Sequence, residues 1–319
     1  MKIAMLGTGW FATEHLKLLS TLPEVEITAH LATTPEKARA PAQQWGGNGY
    51  TSLEKLLEKE SIEAAWLCLP PTPAVHLALE PLLLAADIPY FLEKPLAADL
   101  HTAEKIFEQL AEKSSPLVVA VGYHWRALDT LDKVRDILAK NPVRLVVGTW
   151  YGDTPGVEWW QKEARGGGQV VEQATHLFDL ARYLVGDARV TAASANYFER
   201  PLYPAQDVAG TNAALLQFEK GQPGVFSTTC ILQGPLEIRL QLICEGLAIT
   251  ISQNKVIYET GQSREEVETS SNPYLIEDQA FLEAIRQQRP ELMICSYEEA
   301  LKTHRLCWEV AEAGRRQRS

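Results

Sequence analysis

Over the first 122 residues, short β-rich apolar runs alternate with stretches whose apolar residues recur at helical spacing. Strands are predicted at 2–6, 25–31, 64–69, 88–92 and 117–121, and helices at 11–21, 35–45, 73–86 and 99–113. The run Ala64-Ala65-Trp66-Leu67-Cys68-Leu69 is apolar on both faces, as in a central parallel strand covered by helices on each side. The alternation predicts a doubly wound parallel sheet.

Past Gly122 the rhythm changes, with a helix expected at 128–139, a strand at 143–151, an irregular stretch holding Trp159 and Trp160, and a helix at 169–184. From Arg189 to Ile257 consecutive strands are punctuated by Gly221-Gln222-Pro223-Gly224 and Gly234-Pro235, which predicts antiparallel pairing. Helices at 273–287 and 296–313 complete the chain, the last of them free to pack back on the first half. The expected fold class is α/β. Residues 1–122 form a Rossmann-like doubly wound parallel sheet, and residues 123–319 an α+β domain with a large, mainly antiparallel sheet.

Composition narrows the partners. A chain of 319 residues, 46% hydrophobic, can furnish two cores, and 30 Lys+Arg against 41 Asp+Glu give a net charge of −11, which disfavours nucleic acid and anionic membranes. No apolar run approaches the roughly 18 residues a membrane span requires. The first apolar run is broken by Gly7 and Gly9, unlike a signal peptide, so a cytoplasmic location is expected. Five scattered cysteines without C-x-x-C spacing read as buried free thiols rather than a disulfide framework or zinc site. Arg315-Arg316-Gln317-Arg318 reads as a solvated tail.

The first strand runs directly into Gly7-Thr8-Gly9-Trp10-Phe11-Ala12, a G-x-G-x-x-A fingerprint followed by the amphipathic stretch of His15, Leu16, Leu18 and Leu19. Gly7 suits a tight strand-to-helix turn, Gly9 a close approach to pyrophosphate, and small Ala12 the packing of helix on strand. Trp10 and Phe11 then lie beside the bound cofactor. Leu69-Pro70-Pro71 ends a central strand, with His76 one turn into the next helix, and reads either as a wall for the nicotinamide ring or as a proline-rich turn. Glu93-Lys94-Pro95 stands at the carboxyl edge of another strand, where open α/β sheets gather ligands, and Pro95 biases Lys94 toward an extended conformation aimed near the cofactor. The alternative is a surface lysine, or a Glu93–Lys94 ion pair.

In the second half, Gly166-Gly167-Gly168 precedes Glu172, His176 and Asp179 at helical spacings of four and three. A carboxylate one turn before an imidazole suits a group that accepts a proton from an alcohol, although an exposed polar stripe has the same spacing. Tyr123, His124, Trp125 and Arg126 lie where the chain passes between its halves, placed for substrate or for packing. Trp159, Trp160 and Arg165 fit either an aromatic and cationic wall over a sugar-like substrate or buried anchors.

Taken together, residues 7–12, the CLPPTPAVH stretch from Cys68, Glu93-Lys94-Pro95, VGYHWR at 121–126 and GGGQVVEQATHLFD at 166–179 resemble the Gfo/Idh/MocA oxidoreductase family. The resemblance covers the first 180 residues and is compatible with that family's open-faced C-terminal sheet beyond them. It implies that Lys94 binds the reacting hydroxyl, that His176 is the acid/base, that Glu172 stands where the family usually has aspartate, and that the peptide before Pro95 is cis. Many NAD-binding relatives carry an acid at the end of the second strand. Here Ala32-Thr33-Thr34 stands there with Lys37 soon after, so NAD(P) is expected with NADP slightly favoured.

The function this implies is NAD(P)-dependent hydride transfer to or from a secondary alcohol of a sugar, inositol or related polyol. The substrate would be held by Lys94, Tyr123, Arg126, Trp160, Arg165, Glu172 and His176. Two alternatives share the scaffold: a reductase of a non-sugar carbonyl or double bond, like the biliverdin-reductase or dihydrodiol-dehydrogenase groups, and a non-catalytic cofactor-sensing regulator. An open sheet with one apolar face further predicts a homo-oligomer, dimer or tetramer.

Overall fold

The computed structural model describes residues 1–316, which fall into two compact units. Gln317 and Arg318 of the expected basic tail lie outside the described residues, and Arg315 is ion-paired to Glu163 and Glu312 rather than solvated.

The first unit takes Met1–Ala97, His101–His124 and Asn272–Leu301. In chain order its elements are β1 (Lys2–Leu6), α1 (Trp10–Leu19), β2 (Glu26–Leu31), α2 (Pro35–Trp45), β3 (Asn48–Tyr50), α3 (Leu53–Lys59), β4 (Ala64–Leu67), α4 (Pro73–Ala85), β5 (Tyr90–Leu92), α5 (Leu100–Ala111) and β6 (Val119–Val121). The strands form one parallel sheet, β3-β2-β1-β4-β5-β6, whose order reverses between β1 and β4, where doubly wound sheets bind ligands beyond their carboxyl ends. The sequence pattern missed β3 and α3. Asn48-Gly49-Tyr50 has little β propensity and only edge pairing, so no apolar run announces it.

Ala98–Leu100, Trp125–Ser271 and Lys302–Ser319 make the second unit. The chain continues through α6 (Leu131–Leu138), β7 (Leu145–Asp153), α7 (Glu163–Gly166), α8 (Gly168–Glu172), α9 (Thr175–Val185), β8 (Ala188–Asn196), β9 (Thr211–Phe218), β10 (Pro223–Leu232), β11 (Glu237–Cys244), β12 (Leu247–Ile251), β13 (Lys255–Glu259) and β14 (Arg264–Glu268). These strands make an eight-stranded sheet in the order β14-β13-β12-β11-β7-β10-β9-β8. It is antiparallel except where β7 enters parallel to β10. Its covered face packs on α9, with Phe178 stacked on Phe226 at 4.4 Å. Gly148 is required beneath that ring, because a Cβ there would lie 2.2 Å from it. Cross-strand neighbours Leu215 and Val225 project from the opposite face and are exposed.

The last two helices, α10 (Pro273–Gln287) and α11 (Tyr297–Arg315), divide between the units. The expected boundary at residue 122 left only the last helix free to pack back on the first half, whereas α10 and the first turn of α11 belong to the first unit. The reason is apolar burial: Phe281 meets Trp66 edge-on at 5.1 Å, and with Leu282 and Ala284 it joins the core of Ile3, Met5, Leu16 and Phe91. Among the described residues no helix is long and apolar enough to cross a membrane.

The tightest backbone constraint lies at the end of β1. Gly7 has φ +117°, and a Cβ there would stand 2.2 Å from the carbonyl oxygen of Cys68. Gly7→Ala is expected to lower the thermal unfolding midpoint by at least about 5 °C. A wild-type midpoint by differential scanning calorimetry would contradict this reading of the turn.

Candidate active site

The first unit begins its site where β1 passes into α1. Gly9 is the helix N-cap in extended conformation; among the described residues no side chain caps the helix, and none beyond the chain neighbours of Gly9 lies within 4 Å of where its Cβ would be. The first turn of α1 thus has no side-chain cap, an arrangement that fits a pyrophosphate. Buried Ala12 packs the helix inward, while Trp10 is 64% exposed and meets Phe11 edge-on at 4.8 Å.

At the next strand end, Thr34 caps α2 by accepting the Lys37 backbone N–H at 3.3 Å, with Thr33 just before it. Glu36 was overlooked in the sequence reading. Its carboxylate accepts its own backbone N–H and the Thr34 hydroxyl, which together lower its pKa. The clue was an acid two residues after a threonine N-cap.

His76 corrects an expectation. Rather than facing a cofactor beside Leu69, Pro70 and Pro71, it is buried, its Nδ1 paired with Glu80 at 2.7 Å and its Nε2 donating to the Pro70 carbonyl at 3.2 Å. Tyr90 donates to the other Glu80 oxygen at 2.8 Å, so the group locks α4 onto β5.

Beyond β5 the chain turns at Glu93-Lys94-Pro95, and the Lys94–Pro95 peptide is cis, as the resemblance implied. The Lys94 ammonium sits 5.8 Å from the Phe11 ring centroid, a cation–π distance that ties it to α1. Burial and then the positive charges of Lys94 and His15 push His124 down to about 3. That imidazole, stacked on Tyr274 at 4.3 Å, is therefore neutral at physiological pH. Tyr123 is fully buried.

Behind the lysine lies a buried array spread widely along the sequence. His15 Nε2 meets Glu93 Oε1 at 3.0 Å, its Nδ1 meets both Asp278 oxygens at 2.9 and 3.0 Å, and the Trp66 indole donates to Asp278 at 2.7 Å. Glu277 is 2% exposed, and among the described residues neither of its carboxyl oxygens has a hydrogen-bond partner. Burial opposes a charged His15, yet Asp278 and Glu93 outweigh it and raise the imidazole well above 6.5. For Glu277, burial and the Glu93 charge raise the carboxyl well above 4.5, so it is held as the neutral acid. His15 looked like one member of an amphipathic stripe in the sequence, and nothing local marked Glu277 or Asp278.

In the second unit, Gly167 and Gly168 adopt positive φ and open α8. The expected continuous helix from 169 to 184 is broken, because the Gln173 and Ala174 N–H groups both reach the Gln169 carbonyl, widening the turn before α9. Glu172 ends α8 and accepts the Trp160 indole N–H at 2.6 Å, while His176 lies in the first turn of α9. The indoles of Trp150 and Trp125 lie nearly parallel to the His176 ring at 6.1 and 6.4 Å, giving the imidazole an apolar setting.

Two expected substrate residues, Trp160 and Arg126, are buried, while a third, Arg165, stays exposed. Trp160 is 1% exposed, packed with Val208 and Cys230, and reaches the site through Glu172 rather than as an open wall. Arg126 forms a bidentate ion pair with Asp179 at 2.6 and 2.7 Å, which Thr303 joins by donating to the same carboxylate. This buried pair knits the chain after β6 to α9. Exposed Arg165 pairs with Glu158 at 3.6 Å. The structure thus groups Lys94 with Phe11 and His124, and Glu172 with Trp160, in separate units.

Family comparison follows the same division. A model of an oxidoreductase family with an NAD-binding Rossmann fold matches residues 1–123, and one of the GFO/IDH/MocA C-terminal domain matches 141–250. An uncharacterised Schizosaccharomyces pombe protein is 26% identical over 71% of this chain, which spans only 62% of that relative's length. The 4-carboxy-2-hydroxymuconate-6-semialdehyde dehydrogenase of Sphingobium is 23% identical over 91% of both chains. A myo-inositol 2-dehydrogenase of Thermotoga maritima is 22% identical over 72% of this chain and 68% of its own. Among solved structures, the 3-ketoreductase KijD10 of Actinomadura kijaniata, in complex with NADP and TDP-benzene, superposes with a TM-score of 0.84 at 18% identity, covering 99% of this chain and 97% of that one.

The buried array makes stability depend on pH. An imidazole raised above 6.5 contributes fully below that value and loses its contribution as pH climbs through the folded value. A carboxyl raised above 4.5 costs stability as pH rises from there, so both slopes run downward toward alkali. The thermal midpoint is expected to be lower at pH 9 than at pH 6.5, and Glu277→Gln to flatten that decline and raise the pH 8 midpoint by about 2–4 °C. Equal slopes for the two proteins in melting curves across pH would refute the assignment.

Proposed function

Because the chain belongs to the Gfo/Idh/MocA family of NAD(P)-dependent oxidoreductases, we propose that its reaction is hydride transfer between the nicotinamide and a secondary alcohol of a sugar, inositol or related polyol. The observation that carries this reading is Lys94: its ammonium leaves the carboxyl end of β5 and is held over Phe11, the residue two places into the cofactor-cradling helix from Gly9. Gly7, Gly9 and the first turn of α1 would hold the pyrophosphate.

When bound, the nicotinamide supplies the hydride acceptor or donor. In the oxidative direction, His176 takes the hydroxyl proton while the carbon loses its hydride and the C–O bond becomes a carbonyl. Lys94 stabilises the negative charge that develops on that oxygen. Glu172 fixes the end of α8 through Trp160, and the indoles beside His176 keep bulk water from its ring. In reduction the same proton returns from His176 to the new alkoxide.

A second reading, reduction of a non-sugar carbonyl, draws on the likeness to the hydroxymuconate-semialdehyde dehydrogenase over nearly the whole chain. A panel of polyols and aldehydes followed at the nicotinamide absorbance separates the two. For the cofactor, we assign the ribose end to Thr33, Thr34 and Lys37, with NADP preferred and Glu36 as the carboxylate that limits that preference.

Two measurements test these assignments. On the best substrate of the panel, Lys94→Met and His176→Asn should each cut kcat by about 10²–10⁴-fold with the Kd for NADP nearly unchanged, and full activity in Lys94→Met would sink the reading. Glu36→Gln should shift the NADP-to-NAD affinity ratio toward NADP by about two- to fivefold in fluorescence titrations; a shift toward NAD would place the 2′-phosphate elsewhere.

A further inference from the structure

We propose that His15 is a positioning residue for the lysine corner: bridging Asp278 on α10 and Glu93 at the end of β5, it fixes the turn from which Lys94 departs relative to the helix that cradles the cofactor phosphates. The proposal rests on the reading that Lys94 meets the reacting oxygen.

Connectivity carries the argument. His15 lies on α1 one turn after Ala12, so its backbone is rigidly tied to the Gly9 cap, while its ring reaches across to the residue immediately before Lys94. The bridge is completely buried and both ring nitrogens are used, which leaves the imidazole no other position. On the far side, Asp278 is itself fixed by the Trp66 indole. Gly122 completes the fit, since a Cβ there would come within 2.9 Å of the Glu93 oxygen that His15 holds. A displacement of α1 is therefore passed to Glu93, and through one peptide to Lys94. Misplacing a catalytic group by about 1 Å costs on the order of 10²-fold in rate, so such a strut has a kinetic value that packing alone would not give it.

Protons can balance the charge of the array. The titratable and charged groups around it are Glu93 and Lys94 after β5, Glu277 and Asp278 on α10, Cys68 after β4 and His124 after β6. An imidazolium between two carboxylates, with Glu277 neutral, leaves one net negative charge behind the Lys94 ammonium. His15, Glu93 and Glu277 also bring ligand atoms within 4.8 Å of one another, and Asp278 on the second imidazole nitrogen resembles the outer support of a metal-bound histidine. A dication would displace the proton between His15 and Glu93 and the one on Glu277 and leave the same net charge, so the zinc content of the purified protein separates a metal site from a protonated strut.

The test uses the full-length protein with the best panel substrate. His15→Gln is expected to lower kcat by about 10- to 100-fold while changing the NADP Kd less than about threefold, and Asp278→Asn to act in the same direction by a smaller factor. In nitrogen-15 NMR of the wild type, the His15 ring should carry both N–H protons from pH 6 to 8. If His15→Gln does not fold, the Asp278→Asn kinetics and the NMR spectrum decide the matter. Wild-type kcat in a folded His15→Gln, or in Asp278→Asn, overturns the proposal, as does a neutral His15 ring at pH 7. Stoichiometric zinc in the purified protein, lost in the variants, overturns it in favour of a metal site. An inactive Lys94→Met beside fully active His15→Gln sinks this inference alone, whereas an active Lys94→Met sinks the reading on which it rests.

Discussion

Taking Glu93 out of water constrains the whole first unit. A lone carboxylate in an apolar interior is prohibitively unstable, so it must be met by a donor of opposite charge or by a proton. Here the donor is His15, which in turn needs Asp278, which takes the Trp66 indole. Each link recruits a different element, from β5 to α1 to α10 to β4. The consequence is that the end of β5, the start of α1 and a helix more than 250 residues later along the chain are set by one network, with the apolar packing of Phe281 against Trp66 beside it.

The second unit solves a related problem with a different pairing. Arg126 and Asp179 satisfy each other bidentately, and Thr303 donates to the same carboxylate, so the start of that unit, α9 and the last helix share one buried ion pair. Removing either charge would strand the other, so a polar group that seemed available for ligand recognition serves instead to orient α9 and, with it, His176. Trp160 makes the parallel point: an aromatic ring suited to stacking on a sugar is turned inward, and its indole N–H orders Glu172.

Legibility in the sequence followed the range of the interactions. The parallel sheet, the Gly7–Ala12 turn and the exit of Lys94 were readable because each depends on a few consecutive residues: a strand, a glycine without a Cβ, a following proline. The break between α8 and α9 was not, because Gln173-Ala174 contains neither glycine nor proline and the widened turn is decided by backbone hydrogen bonds. His76 and Arg126 were misplaced for a related reason. Their partners, Glu80 and Asp179, were visible, but whether a polar side chain spends its donors on a neighbour or keeps them for a ligand is settled by packing. The His15 array lay furthest beyond local pattern, since its members are separated by as many as 263 positions.

The division of α10 from the sheet it follows in the chain has a consequence for biosynthesis. On a ribosome the first six strands emerge long before Phe281 and Asp278, so the nascent nucleotide unit must wait, with Trp66 and the inner face of α1 uncovered, until α10 has been translated. Its closure is a late, long-range event that joins two distant stretches of chain, and in that interval the half-built sheet is the surface that a chaperone would need to shield.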